Sequence, residues 1–228
     1  MTNQPVRPEL VEGRTRDLGY IRAVLFDFDG TLVDSFHSHY RVYTRVFSDL
    51  RLQFDEDAYA RHYSPNWYRF YERLGLPKDR WDDADRAWLR YYAEEAPEKC
   101  AGADAALAAV RSAGRELGLV TSGDRMRVDT DLRRLGWTGV FTVTVCGGEV
   151  PQRKPHPEAL LHALDRLMIP PAQAAYVGDT VEDVEMGRAA GALTIAVHGG
   201  FATPAALAAA GPDIMLASLA DVPPLLDR

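Results

Sequence analysis

The sequence predicts an α/β protein: a doubly wound, Rossmann-like parallel sheet with a small α-helical cap inserted after the first strand. Three observations predict it. From residue 102 onward, short apolar runs alternate with amphipathic stretches, the order that builds parallel sheets with right-handed crossovers. The apolar runs end in polar residues, as at Asp27, Thr121 and Asp179, on the edge where open α/β sheets hold ligands. Between the first run and the rest lies an aromatic-rich stretch with helical spacing and no buried-strand pattern.

Residues 1–20 are polar, contain Pro5, Pro8, Gly13 and Gly19, and show no period, so they read as a flexible tail. Ala23-Val-Leu-Phe26 reads as a strand buried on both faces, and Gly30 permits the tight backbone of a loop leaving it. In the stretch that follows, apolar residues recur at helical spacing in Tyr40-Tyr43-Phe47 and Trp81-Ala84-Trp88-Tyr92. Breaks fall near Ser64-Pro65, Gly75-Leu76-Pro77 and Pro97. Helices are then expected over 104–112, 125–135, 157–168, 181–190 and 204–210. Strands are expected over 116–121, 141–146, 174–177, 193–197 and 214–216, the last at the sheet edge. The domain reading is a core of 21–34 and 98–228 and a helical cap of 35–97, hinged near residues 33–35 and 97–102.

Composition narrows the partners. Of the 228 residues 46% are hydrophobic and 26% charged, the balance of a soluble globular protein with an ample core. A formal net charge of −7 argues against nucleic-acid and anionic-membrane partners, while leaving room for an anionic substrate beside a bound cation. Cys100 and Cys146 do not form a disulfide framework or a zinc site. No apolar stretch is long enough to span a bilayer, and the charged first twenty residues are not a signal peptide, so a cytoplasmic monomer or homodimer is expected.

The chemistry sits at the strand ends. Asp27 and Asp29 alternate on extended chain and converge on one site, which makes best sense with a cation or a shared proton between them. Thr121 with Ser122, Lys154, and Asp179 with Asp183 should meet them along the same edge. Carboxylates, a hydroxyl and an ammonium together suit phosphoryl transfer. Each residue also has a plainer role. The aspartates serve in an Asx turn, Thr121 or Asp124 caps a helix, Arg153-Lys154 is a solvated pair, and Asp183 is a helix-face acid.

Taken in order, the segments Asp27-Phe-Asp29-Gly30-Thr31, Val120-Thr121-Ser122-Gly123, Arg153-Lys154-Pro155-His156-Pro157 and Gly178-Asp179-Thr180-Val181-Glu182-Asp183 resemble the four motifs of the haloacid dehalogenase superfamily of phosphohydrolases. The resemblance runs from about residue 21 to the end. The helical insert looks like the small cap of the phosphoglycolate phosphatase and β-phosphoglucomutase branch. It implies Asp27 as a nucleophile that becomes an aspartyl phosphate and Asp29 as acid and base. It further implies Mg²⁺ held by the Asp27 carboxylate, the Asp29 main-chain carbonyl and Asp179, with Asp183 serving the metal site by orienting Lys154 or a metal-bound water. Thr121, Ser122, Gly123 and Lys154 would hold the phosphoryl group.

Asp29 sets the chain apart from the family's dehalogenases, whose halide leaves without a proton. The branch that cleaves carbon–phosphorus bonds uses a cap lysine, and the cap here has few lysines. A phosphatase of a small, phosphoglycolate-like metabolite leads. A sugar-phosphate mutase is the alternative, and a phosphoacceptor or binding module is a third reading. The histidines show no metal spacing, and His37 and His39 read as solvated or hinge residues. Arg41, Arg45, Arg69 and Tyr68 are candidates for a substrate's second anionic group, and the aromatic rows read as the cap's own core.

Overall fold

The sheet order follows from which strands tolerate burial on both faces. In a computed structural model that describes residues 9–10 and 18–226, the strands are β1 (Glu9–Leu10), β2 (Ala23–Phe26), β3 (Glu116–Val120), β4 (Val143–Val145), β5 (Ala174–Gly178), β6 (Leu193–Val197) and β7 (Ile214–Leu216). They lie in the order β1-β7-β6-β5-β2-β3-β4, all parallel except β1, which pairs antiparallel with β7. Most of the expected tail lies outside the described residues. β7 is therefore not the sheet edge, because the two-residue β1 covers it. Its segment, Glu9-Leu10, is too short to carry any alternation in the sequence.

β2 and β5 are buried along their whole length and occupy the centre. Val24 and Phe26 of β2 face α5 (Ala103–Ser112), α6 (Arg125–Arg134) and α10 (Val222–Leu226). Ala23 and Leu25 face α7 (Glu158–Leu167) and Met186 of α8 (Val181–Ala190), so helices cover both sides. The α9 helix (Pro204–Ala210) adds Leu207 against Val184 and Ala196. The α10 helix had no sequence expectation because Pro223-Pro224 reads as a break. Proline is nevertheless compatible with a helix's first turn, and Val222 and Leu225 are buried.

Register positions the chemistry. Phe26 pairs with both Leu119 and Val177, so Asp27, Thr121 and Asp179 leave neighbouring strands within about two residues of one line. Between β2 and β3 the chain forms α1 (Phe36–Asp49), α2 (Glu56–His62), α3 (Trp67–Arg73) and α4 (Trp81–Tyr92). These helices build an aromatic core around Tyr43, Phe47, Tyr59, Phe70 and Tyr71, joined by Phe201 from the loop after β6. The two crossings into this helical segment run side by side: Val33 bridges Lys99, and the Asp34 N–H donates to the Glu98 carbonyl at 2.9 Å. No helix among the described residues is long and apolar enough to cross a membrane.

Candidate active site

Three acidic side chains, Asp27, Asp179 and Asp183, gather at the ends of β2 and β5, and one ammonium bridges two of them. Lys154, 2% exposed, donates to Asp27 Oδ1 at 2.7 Å and to Asp183 Oδ1 at 2.8 Å. Asp183 sits at the third position of α8, where the Thr180 capping box fixes it. Its Oδ2 accepts from the Thr180 N–H and hydroxyl, and its Oδ1 also accepts from the Tyr176 hydroxyl at 3.2 Å. The Tyr176 hydroxyl shares its one proton with the nearer Val120 carbonyl at 2.9 Å, so Lys154 and Thr180 are the donors that engage the two Asp183 oxygens, and Asp183 in turn holds Lys154. The opposing pull of two carboxylates keeps the Lys154 ammonium charged despite its burial.

Asp179 is fully buried and more lightly bonded, accepting from the Thr31 hydroxyl at 3.2 Å and the Phe201 N–H at 3.3 Å. Burial, then repulsion from Asp183 and Asp27, pushes its carboxyl well above the ordinary value. Asp27 is pushed up to about 7, chiefly by burial, with Lys154 opposing and Asp183 and Asp29 adding to the rise. Gly30 belongs to the same construction. A Cβ there, at φ +79°, would lie 2.3 Å from Asp179 Oδ2, so only glycine lets the loop pass this carboxylate.

Carboxylate oxygens of Asp27, Asp179 and Asp183 all lie within 4.8 Å of one another. This is an all-oxygen, buried and electron-rich donor set facing one ammonium, the environment a hard divalent cation relieves. The residues therefore fit a Mg²⁺-type ion, with Asp27 and Asp179 as the carboxylates still able to ligate. The Asp29 side chain stands apart from this cluster.

Asp29 is held instead by Arg127, whose Nη1 and Nη2 donate to its two oxygens at 2.9 and 2.5 Å, and His39 Nε2 approaches to 3.2 Å. Burial would raise the Asp29 carboxyl, but the guanidinium, with His39 beside it, keeps it well below the usual carboxylate range. Arg127 is 8% exposed and lies against the rings of Phe28, Trp88 and Tyr92. Gly123 makes room for it, since a Cβ there would lie 2.1 Å from Nη2.

Sequence reasoning did not single out Arg127, because Arg125-Met-Arg-Val-Asp reads as an ordinary charged helix. One signal was present: Arg127 and Asp131 at i,i+4 in the first turns after a strand-end motif. His39, expected to be a solvated or hinge residue, is corrected to a buried one in contact with Asp29 and the rings of Trp88 and Phe201.

Thr121, Ser122 and Gly123 line a cavity of about 270 Å³ that opens from Asp27 toward the helical segment. The Thr121 hydroxyl accepts from the Gly123 N–H at 3.0 Å, which leaves its proton directed elsewhere. The helix cap is Asp124, which accepts from the Arg127 N–H at 3.1 Å. Arg41, Arg45, Arg69 and Tyr68 do not line this cavity. Arg41 and Arg45 pair with Glu95 and Glu94 at the surface, and the Tyr68 hydroxyl turns to Asp85. The guanidinium groups on the cavity wall are Arg127 and Arg153, the latter stacked 3.9 Å from the Trp67 ring centre.

With this geometry in hand, comparison with known proteins is informative. Residues 24–197 match the sequence profile of the haloacid dehalogenase-like hydrolases. The chain belongs to that family. It is 35% identical over 213 residues to the plasmid phosphoglycolate phosphatase of Cupriavidus necator, covering 90% of this chain and 92% of that one. It is 30% identical over 195 residues to the N-acetylmuramic acid 6-phosphate phosphatase of Pseudomonas aeruginosa, covering 81% and 84%. Among solved structures, CbbY from Rhodobacter sphaeroides in complex with phosphate superposes with a TM-score of 0.78 at 25% identity, covering 89% of this chain and 96% of that one.

Proposed function

We propose that this haloacid dehalogenase-like hydrolase is a Mg²⁺-dependent phosphatase of small phosphorylated metabolites that works through a phosphoryl group carried on Asp27. The observation that carries the reading is the convergence of Lys154 and Asp179 on Asp27, which lines one cavity with Asp29, Thr121 and Ser122. Lys154 engages Asp27 Oδ1, which leaves Oδ2 to attack phosphorus. A bond forms from Asp27 to phosphorus, the ester oxygen departs with the bonding pair, and that oxygen takes a proton. Water then attacks the acyl phosphate, gives up its own proton and returns Asp27 as a carboxylate.

Thr121, the Ser122 N–H, Gly123 and Lys154 hold the phosphoryl oxygens through this exchange. Mg²⁺ bound by Asp27, Asp179 and the Asp29 main-chain carbonyl would offset charge on those oxygens. Asp29 moves the protons. In its pairing with Arg127 it is ionised, the form that accepts a proton from the attacking water. Delivering a proton to a departing alkoxide requires the carboxyl to part from that guanidinium first. The helical segment 35–97 serves as the cap that closes the cavity, with Ser64 donating to Glu182 Oε1 at 2.8 Å across the seam.

The test is phosphate release from a panel of phosphomonoesters, with Mg²⁺ and with EDTA. The names of the relatives make 2-phosphoglycolate one arm of the panel. Metal-dependent release supports the reading. Conversion of a sugar 1-phosphate to its 6-phosphate without net release would replace it with a mutase.

A further inference from the structure

Phe201 has two engagements, on opposite sides of the seam between the sheet and the helical segment. Its backbone lies in the loop between β6 and α9, and its N–H donates to Asp179 Oδ2 at 3.3 Å. Its ring is packed into the aromatic core of the helical segment, with ring centres 4.4 Å away at Tyr63, 5.4 Å at Phe36 and 5.5 Å at His39. Every other member of that core lies between Phe36 and Tyr92, so among the described residues Phe201 alone joins it from the sheet side.

The loop has little slack where it passes the acidic cluster. A Cβ at Gly199 would lie 2.0 Å from the Gly30 carbonyl oxygen and 2.5 Å from Asp179 Oδ2, so the backbone runs flush against both. Asp179 has few restraints of its own. Among the described residues its donors are the Thr31 hydroxyl at 3.2 Å and the Phe201 N–H. Both bonds are long, and a further shift of about 0.3 Å would end the one from Phe201.

That position matters to a metal. Mg²⁺ demands near-ideal octahedral geometry with oxygens at about 2.1 Å, so a carboxylate turned by a few tenths of an ångström binds it less well. Losing a group that hydrogen-bonds a metal's ligand typically costs about 10–100-fold in affinity. A main-chain N–H is not deleted by substitution, but it is displaced when the side chain that anchors it is lost. Here the anchor is a ring whose neighbours belong to the helical segment.

We infer, given Asp179 as a Mg²⁺ ligand in the proposed function, that Phe201 is a positioning residue for Asp179. The helical segment clamps the ring, the ring sets the place of the N–H, and the N–H sets the carboxylate. Packing of residues 35–97 thereby governs the affinity of the metal site, a task separate from closing the cavity. Linkage makes the effect reciprocal: bound Mg²⁺ holds the helical segment against the loop by the same factor.

The experiment is calorimetric titration of Mg²⁺ into the full chain without substrate, paired with melting temperatures in EDTA. Phe201→Ala should raise the Mg²⁺ Kd about tenfold, the low end of that range, because the N–H is displaced rather than removed. Tyr63→Leu removes the nearest ring on the helical segment and should raise the Kd in the same direction, whereas Tyr63→Phe keeps the ring and the wild-type Kd. Phe47→Leu controls for lost packing alone. Phe47 lies in the same core against Tyr43, Phe54, Phe70 and Tyr71 rather than Phe201, so this change should lower the melting temperature and leave the Kd unmoved. A wild-type Kd in Phe201→Ala overturns the inference, and so does an equal loss of affinity in Phe47→Leu. Should Phe201→Ala not fold, the Tyr63 pair decides, and equal Kd values for Tyr63→Leu and Tyr63→Phe overturn it. A wild type that binds no Mg²⁺ defeats the metal-site reading and the inference with it.

Discussion

Replacing Asp179 with asparagine should make the metal-free protein more stable while abolishing its response to metal. Asp179 is buried, has no cationic hydrogen-bond partner among the described residues, and shares a 4.8 Å cluster with Asp27 and Asp183. At that separation, and at an effective dielectric constant of about 20, each like-charge pair costs roughly 3–4 kcal/mol. Lys154 offsets about one such pair, leaving a penalty of about 3 kcal/mol on ionised Asp179.

The amide can place its oxygen on the Phe201 N–H and its NH₂ on the Thr31 hydroxyl, so the substitution keeps its partners. The sign with pH follows from the raised carboxyl. The folded state keeps a proton that the unfolded chain releases, so metal-free wild type loses stability as pH rises above about 4, until Asp179 ionises in the folded state as well. The variant lacks this fall. In EDTA near about pH 8 its melting temperature should exceed wild type by about 6–12 °C, as read by calorimetry. The difference should shrink toward about pH 4. Added Mg²⁺ should raise the wild-type midpoint and leave the variant unmoved. A variant less stable than wild type in EDTA, or one that gains as much from Mg²⁺, would refute the reasoning.

Three further outcomes follow from the same geometry. Lys154→Met leaves Asp27 and Asp183 buried without their shared counter-charge, so metal-free stability should fall by about 3–5 kcal/mol in denaturant titrations and turnover should be lost. Asp29→Asn should slow hydrolysis of alkyl phosphates by about a hundredfold or more, as measured by phosphate release. It should slow the first-turnover burst of p-nitrophenolate from p-nitrophenyl phosphate far less than the first step with alkyl phosphates, because that leaving group departs without a proton; equal losses in that first step would take the acid role away from Asp29. Gly123→Ala would put a Cβ against Arg127 Nη2 and displace it from Asp29. Its kcat should drop about tenfold or more with the circular dichroism spectrum unchanged, whereas a wild-type kcat would mean that Arg127 does not position Asp29.

The fold was legible wherever burial and chemistry coincide on a short run. β2, β6, α8 and α9 begin and end where apolar runs meet Asp27, Gly191 or Thr203, because strand ends and helix caps are written in single residues. β1 and α10 escaped because a two-residue strand has no period and a proline pair reads as a break. The acidic cluster with Lys154 was legible for a related reason: Asp27 and Asp179 directly follow strand ends, and Lys154 and Asp183 lie in the loop and helix that come after β4 and β5 on the same edge of the sheet. What the sequence concealed were partners brought from other elements. Arg127 reaches Asp29 from a helix 98 positions along the chain. His39 and Asp85 come from the helical segment, where aromatic spacing gave a core but not which faces would turn to the cavity. Spacing along one helix fixes its own face and leaves open what a distant helix brings to meet it.

The central claim is that Asp27 carries the phosphoryl group, and mass spectrometry of enzyme acid-quenched during turnover tests it most directly. The account predicts a phosphate adduct on the peptide that carries Asp27, absent from Asp27→Asn, which stays folded and inactive. An active Asp27→Asn enzyme, or steady turnover with no adduct on that peptide under rapid quenching, would contradict it.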